Sequence, residues 1–141
     1  MKIMEVVGRF EAPAQRVWSI VSDFGGLGRW NPAVASCATE GHGIGMLRIF
    51  TTPAATVTER LVARDDASMC LVYEIVSGSP IKVRDARVAI IVKPEGENAS
   101  SLTWELTGEP DGMTLSELAQ QTEKRYRARL EDLRNYLNAP T

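Results

Sequence analysis

The chain has 141 residues, of which 44% are hydrophobic and 24% are charged, and its formal net charge is −2 at pH 7. Because this length and composition suffice for one hydrophobic core, we expect residues 1–141 to form a single domain. The dispersed and nearly balanced charges argue against a surface for nucleic acid or for an anionic membrane. Without a long apolar run or an N-terminal signal pattern, we expect a cytoplasmic protein with no stable membrane insertion.

The first part of the chain predicts one strand followed by two short helices. Residues 3–10 have the pattern of a strand, and residues 17–24 have the apolar spacing of a short amphipathic helix. Gly25 and Gly26 should break that helix, and one more helical turn is expected over residues 27–30.

Six further strands are predicted before the last helix. Polar turns rich in glycine, proline, aspartate and serine separate them, and turns this short connect neighbouring antiparallel strands. We therefore expect an antiparallel meander in an α+β fold. The predicted strands cover residues 33–39, 46–51, 56–64, 69–76, 83–93 and 101–107.

A long helix is predicted from Thr114 to about Leu137. Thr114 followed by Glu117 has the spacing of a capping box, and Pro140 lies just beyond the expected end. Because no other helix of similar length is predicted, the apolar face should be buried against the sheet. Its members are Leu115, Leu118, Ala119, Thr122, Tyr126, Leu130, Leu133 and Leu137.

The apolar face of this helix is uneven, because Ala119 and Thr122 are small while the later members are large. Two interpretations stay open. Small residues allow a sheet to approach a helix closely, or they leave a cavity between the two.

Several segments together resemble the polyketide cyclase/dehydrase branch of the START/SRPBCC superfamily. They are the stretch AQRVWSIVSDFGGLGRWNP at residues 14–32, GIGMLRIF at 43–50, TERL at 58–61, the Ser79-Pro80 turn and a strand with Trp104 before the last helix. The resemblance implies a helix-grip fold, in which a seven-stranded antiparallel sheet curls around the long C-terminal helix. It also implies an apolar cavity for lipids, sterols, polyketides or hormones.

Given that resemblance, strand alternation nominates the walls of the cavity. If Arg48 faces inward, its partner should be Glu59, because an unpaired buried charge is costly. The pair would then be the polar floor of the pocket; alternatively it faces solvent or is only structural. Ala86 stands where relatives carry an aromatic residue, which predicts a larger cavity unless neighbours fill the space. The candidate ligand-binding residues are Trp30, Arg48, Phe50, Glu59, Tyr73, Ile75, Ala86, Val88, Trp104, Leu118, Ala119 and Thr122.

Two functions remain open at this stage, and a protein–protein module has no distinct sequence feature. The first is a carrier or sensor for a small hydrophobic or amphipathic molecule. The second is a polyketide cyclase or dehydrase, with Glu59 as base, Arg48 polarising a carbonyl and Tyr73 as proton donor. The sequence does not choose between enzyme and binder, and it does not predict the oligomeric state.

No metal or cofactor is expected. His42 is the only histidine and lies in a glycine-rich turn, where a loop role is favoured over catalysis. Cys37 and Cys70 lie in apolar stretches without CxxC spacing, which favours buried thiols over a disulfide or a metal pair.

Overall fold

The computed structural model describes residues 1–139 and has the predicted α+β architecture. Two short helices follow the first strand, six more strands form a meander, and a long helix ends the described chain. The elements are β1 (Lys2–Phe10), α1 (Ala14–Val21), a 3-10 turn (Phe24–Gly26), α2 (Leu27–Trp30), β2 (Ser36–Glu40), β3 (Leu47–Thr51), β4 (Thr56–Asp65), β5 (Cys70–Ser77), β6 (Val83–Pro94), β7 (Ser100–Pro110) and α3 (Leu115–Asn138).

The seven strands form one open antiparallel sheet in the order β1-β7-β6-β5-β4-β3-β2. Each of the strands β2 to β6 is paired with the next strand along the chain, as short turns require, and β1 pairs with the other edge of β7. Along the central strands every second side chain is buried, because successive side chains point to opposite faces. The buried face carries the core.

Helix α3 begins at the predicted cap and packs most closely on β1. The side-chain oxygen of Thr114 accepts a hydrogen bond of 3.1 Å from the backbone N–H of Glu117. Gly8 on β1 lies under Leu130, and a Cβ atom at Gly8 would come within 3.0 Å of that side chain. This close approach holds the helix to one edge of the sheet.

The prediction that Leu115 belongs to the buried face of the helix is wrong. Leu115 is 43% exposed, because residues 114–117 are all exposed and the helix has not yet reached the sheet in its first turn. The proposed stop at Pro140 lies outside the described residues.

Two predicted boundaries also differ. The first helix ends at Val21, ahead of the glycine pair, and a separate 3-10 turn carries Phe24. The strand expected from residue 33 begins at Ser36, because the Asn31 side chain accepts the Ala33 N–H at 3.1 Å and so closes a turn. No helix among residues 1–139 is long and apolar enough to cross a membrane.

Candidate functional site

A cavity of about 130 Å³ lies between the buried face of the sheet, the helical segment after β1 and the middle of α3. Because α3 packs mainly on β1, at one edge of the sheet, it leaves space over the strands nearer the other edge. The sheet contributes Arg48, Phe50, Val57, Glu59, Tyr73, Ile75, Ile90 and Trp104, and the helices contribute Val21, Leu27, Trp30, Arg125, Tyr126 and Arg129.

Arg48 and Glu59 form an ion pair at the inner end of this cavity. They are directly opposite each other in the register of β3 and β4. The Oε1 atom of Glu59 accepts from Nε of Arg48 at 2.8 Å and lies 2.7 Å from its Nη2 atom, and both side chains are less than a tenth exposed. The Nη1 atom of Arg48 donates to the backbone oxygen of Phe24 at 3.3 Å. The pairing expected for an inward-facing Arg48 is therefore present.

Three aromatic rings surround the Arg48 guanidinium. Its central carbon lies 4.1 Å from the ring centre of Phe24, 4.7 Å from that of Tyr73 and 5.9 Å from that of Phe50. Aromatic faces attract cations, and most strongly where water is excluded. The rings and the carboxylate together stabilise a charge that burial alone would disfavour.

Burial controls the protonation of the groups around Arg48. It raises the pKa of Glu59, although the charge of Arg48 opposes that rise. Burial is the largest single effect on the pKa of Arg48 and lowers it, but the charges of Glu59 and Tyr73 and the hydrogen bond to Glu59 together raise the pKa overall, so the guanidinium stays charged. Burial also raises the pKa of Tyr73 well above its usual value, so its hydroxyl remains a proton donor.

Trp104 contributes a hydrogen-bond donor without an acceptor. The residue is 3% exposed, and its Nε1 atom makes no hydrogen bond within residues 1–139. The indole N–H of Trp104 lies near the Tyr73 hydroxyl and lowers the pKa of Tyr73, against the larger effect of burial. The two groups do not, however, meet the geometry of a hydrogen bond. Ring centres of Trp30 and Tyr126 lie 6.1 Å and 5.1 Å from that of Trp104. A buried N–H of this kind usually finds a partner, so the site has an unmet preference for an acceptor.

The outer end of the cavity lies between α3 and two strand connections. Arg129 donates to the Asn31 side chain at 3.1 Å, and its Nε atom is 3.0 Å from a carboxylate oxygen of Asp132. Arg125 is exposed one turn earlier on the helix. The two connections contribute Thr52, Ala54, Ser79, Pro80 and Ile81.

The cavity brings together many of the candidate ligand-binding residues. Whether they bind a ligand stays a prediction, but these residues line the same cavity: Trp30, Arg48, Phe50, Glu59, Tyr73, Ile75 and Trp104.

The other candidates do not line the cavity: Ala86, Val88, Leu118, Ala119 and Thr122. Ala86 is buried beside Gly108, where a Cβ atom would come within 3.3 Å of the Ala86 Cα atom, so the two strands pack closely at this position. The Thr122 hydroxyl donates to the Leu118 carbonyl at 2.8 Å and is buried. Thr122 is therefore packed inside the protein, Ala119 is half-buried, and the cavity lies further along the helix.

Several residues at the site were missed from sequence. Phe24 had been assigned only to the amphipathic helix, yet it covers Arg48. Arg125 and Arg129 lie at i,i+4 spacing beside the apolar face of α3. This pair of basic residues next to the buried Tyr126 was the one sequence pattern that could have predicted their place at the site.

The remaining reactive residues do not line the cavity. His42 is exposed in its turn, and Cys37 and Cys70 are half-buried free thiols, less enclosed than expected. Within residues 1–139 no group of three or more histidine, cysteine, aspartate or glutamate side chains is placed to hold a metal ion.

The seven-stranded antiparallel sheet, the long helix packed against it and the cavity between them define a helix-grip protein. The chain belongs to the family described as polyketide cyclase / dehydrase and lipid transport, whose model matches residues 1–138.

Solved structures share the same fold. An uncharacterised protein from Bacillus thuringiensis superposes with a TM-score of 0.86 at 23% identity, covering 95% of this chain and 98% of that one. The protein XoxI from Bacillus cereus gives 0.84 at 23% identity, covering 95% and 94%. A protein from Thermobifida fusca gives 0.75 at 26% identity, covering 90% and 83%.

Proposed function

We propose that the protein binds one small amphipathic organic molecule in the cavity, as a carrier or sensor. The observation that carries this proposal is the buried Trp104 N–H, which has no acceptor within residues 1–139 and belongs to a wall built mainly of apolar side chains. An enclosed apolar space with a few polar groups is the usual form of a small-molecule site. The lipid-transport part of the family description supports a binding role.

The size of the cavity limits the ligand. An apolar cavity of about 150 Å³ accepts a molecule the size of benzene, and this cavity measures about 130 Å³. A single aromatic ring or a short chain therefore fits, with any remainder extending to the mouth. A fused-ring polyketide requires the connections around Thr52 and Ser79 to move apart.

The polar groups indicate what the ligand offers. The Trp104 N–H is a donor that a ligand carbonyl oxygen could accept from. On Glu59 both contacts to Arg48 use Oε1, and Oε2 has no hydrogen bond within residues 1–139. A carbonyl compound with an apolar body satisfies the indole without disturbing the ion pair.

Calorimetric titration with benzylacetone, which joins one aromatic ring to a ketone, tests the proposal. Ile75→Trp should fill the cavity and weaken binding at least tenfold. Val76→Trp is the matched control, because Val76 is the next residue of β5, points to the opposite face and is exposed. Trp104→Phe should weaken binding about fivefold, the worth of one hydrogen bond. Equal affinity of the Ile75→Trp variant and the wild type would place binding outside the cavity.

One observation favours a second candidate, catalysis of an acid–base reaction at a carbonyl. Glu59 combines a raised pKa with an uncommitted oxygen, and Tyr73 and Trp104 supply donors in the same cavity. A general base beside carbonyl-polarising donors can remove a proton from the carbon next to the carbonyl.

Proton exchange tests this second candidate without a known substrate. An enzyme of this kind should speed deuterium uptake from heavy water into benzylacetone beside its carbonyl, as followed by NMR. Glu59→Gln should abolish the acceleration while retaining affinity. Binding without any acceleration would leave the carrier or sensor role alone.

A further inference from the structure

The mouth of the cavity carries positive charge that the protein does not compensate. Glu59 is the only acidic residue that lines the cavity within residues 1–139, and it is paired with Arg48. Arg129 is paired with Asp132. Arg125 is exposed and makes no ion pair with any residue that the structure describes.

Arg125 is within electrostatic reach of the cavity wall. Tyr126 lines the cavity and is buried, which raises the pKa of its hydroxyl. The charge of Glu59 raises that pKa further, whereas the charges of Arg125 and Arg48 oppose the rise. The phenol therefore experiences both the inner ion pair and the outer guanidinium.

The inner end is unsuited to an anion. The Nε and Nη2 atoms of Arg48 already contact Glu59, and its Nη1 atom donates to the Phe24 carbonyl. A ligand carboxylate placed there would face the Glu59 carboxylate in a site with little water, where like charges repel strongly. Only the outer end combines an unpaired guanidinium, that of Arg125, with access to water.

We infer that the natural ligand is a small amphipathic oxo-carboxylate, held with its carboxylate between Arg125 and Arg129 while its apolar body carries the carbonyl toward Trp104. Guanidinium groups bind carboxylates through paired, charge-assisted hydrogen bonds. At i,i+4 spacing the two arginines lie on one side of α3, about 6 Å apart along its axis. This inference rests on the proposed binding function and adds the chemical class and orientation of the ligand.

Three probes of nearly equal shape test the carboxylate: hydrocinnamate, its neutral amide and phenylpropylamine. In low-salt calorimetric titrations the acid should bind about tenfold more tightly than the amide, and the amine should bind most weakly. Added salt should reduce the advantage of the acid, because the mouth is open to solvent and its charges are screened.

The variant Arg125→Gln tests where the carboxylate of the ligand binds. Because Arg125 is exposed, its loss should leave the fold intact, lower the affinity for hydrocinnamate about fivefold and leave that for the amide unchanged. Lys124→Gln is the matched control, since it removes the same charge from the neighbouring position of α3, where the side chain is exposed and does not line the cavity. It should change neither affinity.

The outcomes separate the two proposals. If benzylacetone and the amide bind as tightly as the acid, the carboxylate inference is overturned and the binding function stands. An acid preference equally reduced by Arg125→Gln and Lys124→Gln would show only a general attraction to the helix and would also overturn it. If none of the probes binds, both proposals fail.

Discussion

Arg48 carries a full positive charge that is almost completely removed from water. The Glu59 carboxylate, the carbonyl and ring of Phe24, and the rings of Phe50 and Tyr73 compensate it. An ion pair of this kind adds little net stability relative to well-packed apolar residues, but loss of one partner leaves an uncompensated charge.

Arg48→Met should destabilise the protein by about 3–5 kcal/mol near neutral pH, because Glu59 would remain buried without its partner. Burial raises the pKa of Glu59, and removal of Arg48 raises it further. A raised pKa in the folded state favours folding below the pKa of the unfolded chain, and that advantage is lost as pH rises through the folded pKa. The variant should therefore lose less stability at about pH 5 than at about pH 8, as measured by urea unfolding.

The double variant Arg48→Met with Glu59→Leu is the control for this prediction. It removes both charges and should recover most of the lost stability. If the double variant were as unstable as Arg48→Met, the defect would come from packing and not from a stranded carboxylate.

The connection between β5 and β6 is held at the mouth by one glycine. Gly78 has a φ angle of +85°, a conformation that other residues rarely adopt, and a Cβ atom there would lie 1.8 Å from the backbone oxygen of Thr56. The contact fixes this connection against the start of β4. It thereby positions Ser79, Pro80 and Ile81 at the cavity.

Gly78→Ala should cost at least about 3 kcal/mol, since it adds a backbone clash to an unfavourable φ angle. Gly43→Ala is the matched control: Gly43 has a φ angle of +70°, but no atom lies within 4 Å of its added Cβ. The control should cost about 1 kcal/mol in chemical unfolding. Equal losses in the two variants would show that the close contact with Thr56 is unimportant.

The whole molecule buries two tyrosine hydroxyls in one core, those of Tyr73 and Tyr126. Burial raises the pKa of both, and each lies in the field of the Glu59 carboxylate, which raises them further. The neutral hydroxyl is thus favoured in the folded state and the unfolded chain ionises first. Stability should be retained below about pH 10 and lost as pH rises beyond it.

Above about pH 10 the free energy of unfolding should fall by up to about 1.4 kcal/mol per pH unit for each of these tyrosines. Tyr73→Phe and Tyr126→Phe should each make that fall shallower, as measured by urea unfolding across alkaline pH. An unchanged slope in the two core variants would contradict this account.

Local patterns in the sequence predicted the elements and their buried faces. The spacing of Leu118, Tyr126 and Leu130 predicted which side of α3 is buried, because the period of an α-helix is independent of what it packs against. Alternation on β3 and β4 put Arg48 and Glu59 in phase with the apolar residues but left open whether they face the core, and the cost of burying a charge predicted their pairing if they do.

Only the tertiary structure located the cavity. Its position depends on the distance between α3 and strands far away in sequence, and that distance is set where Gly8 admits Leu130 against β1. No local pattern contains such a distance. For this reason the sequence did not decide between close packing and a cavity beside Ala119 and Thr122, and Arg125 was found at the mouth only once α3 and the strand connections were in place.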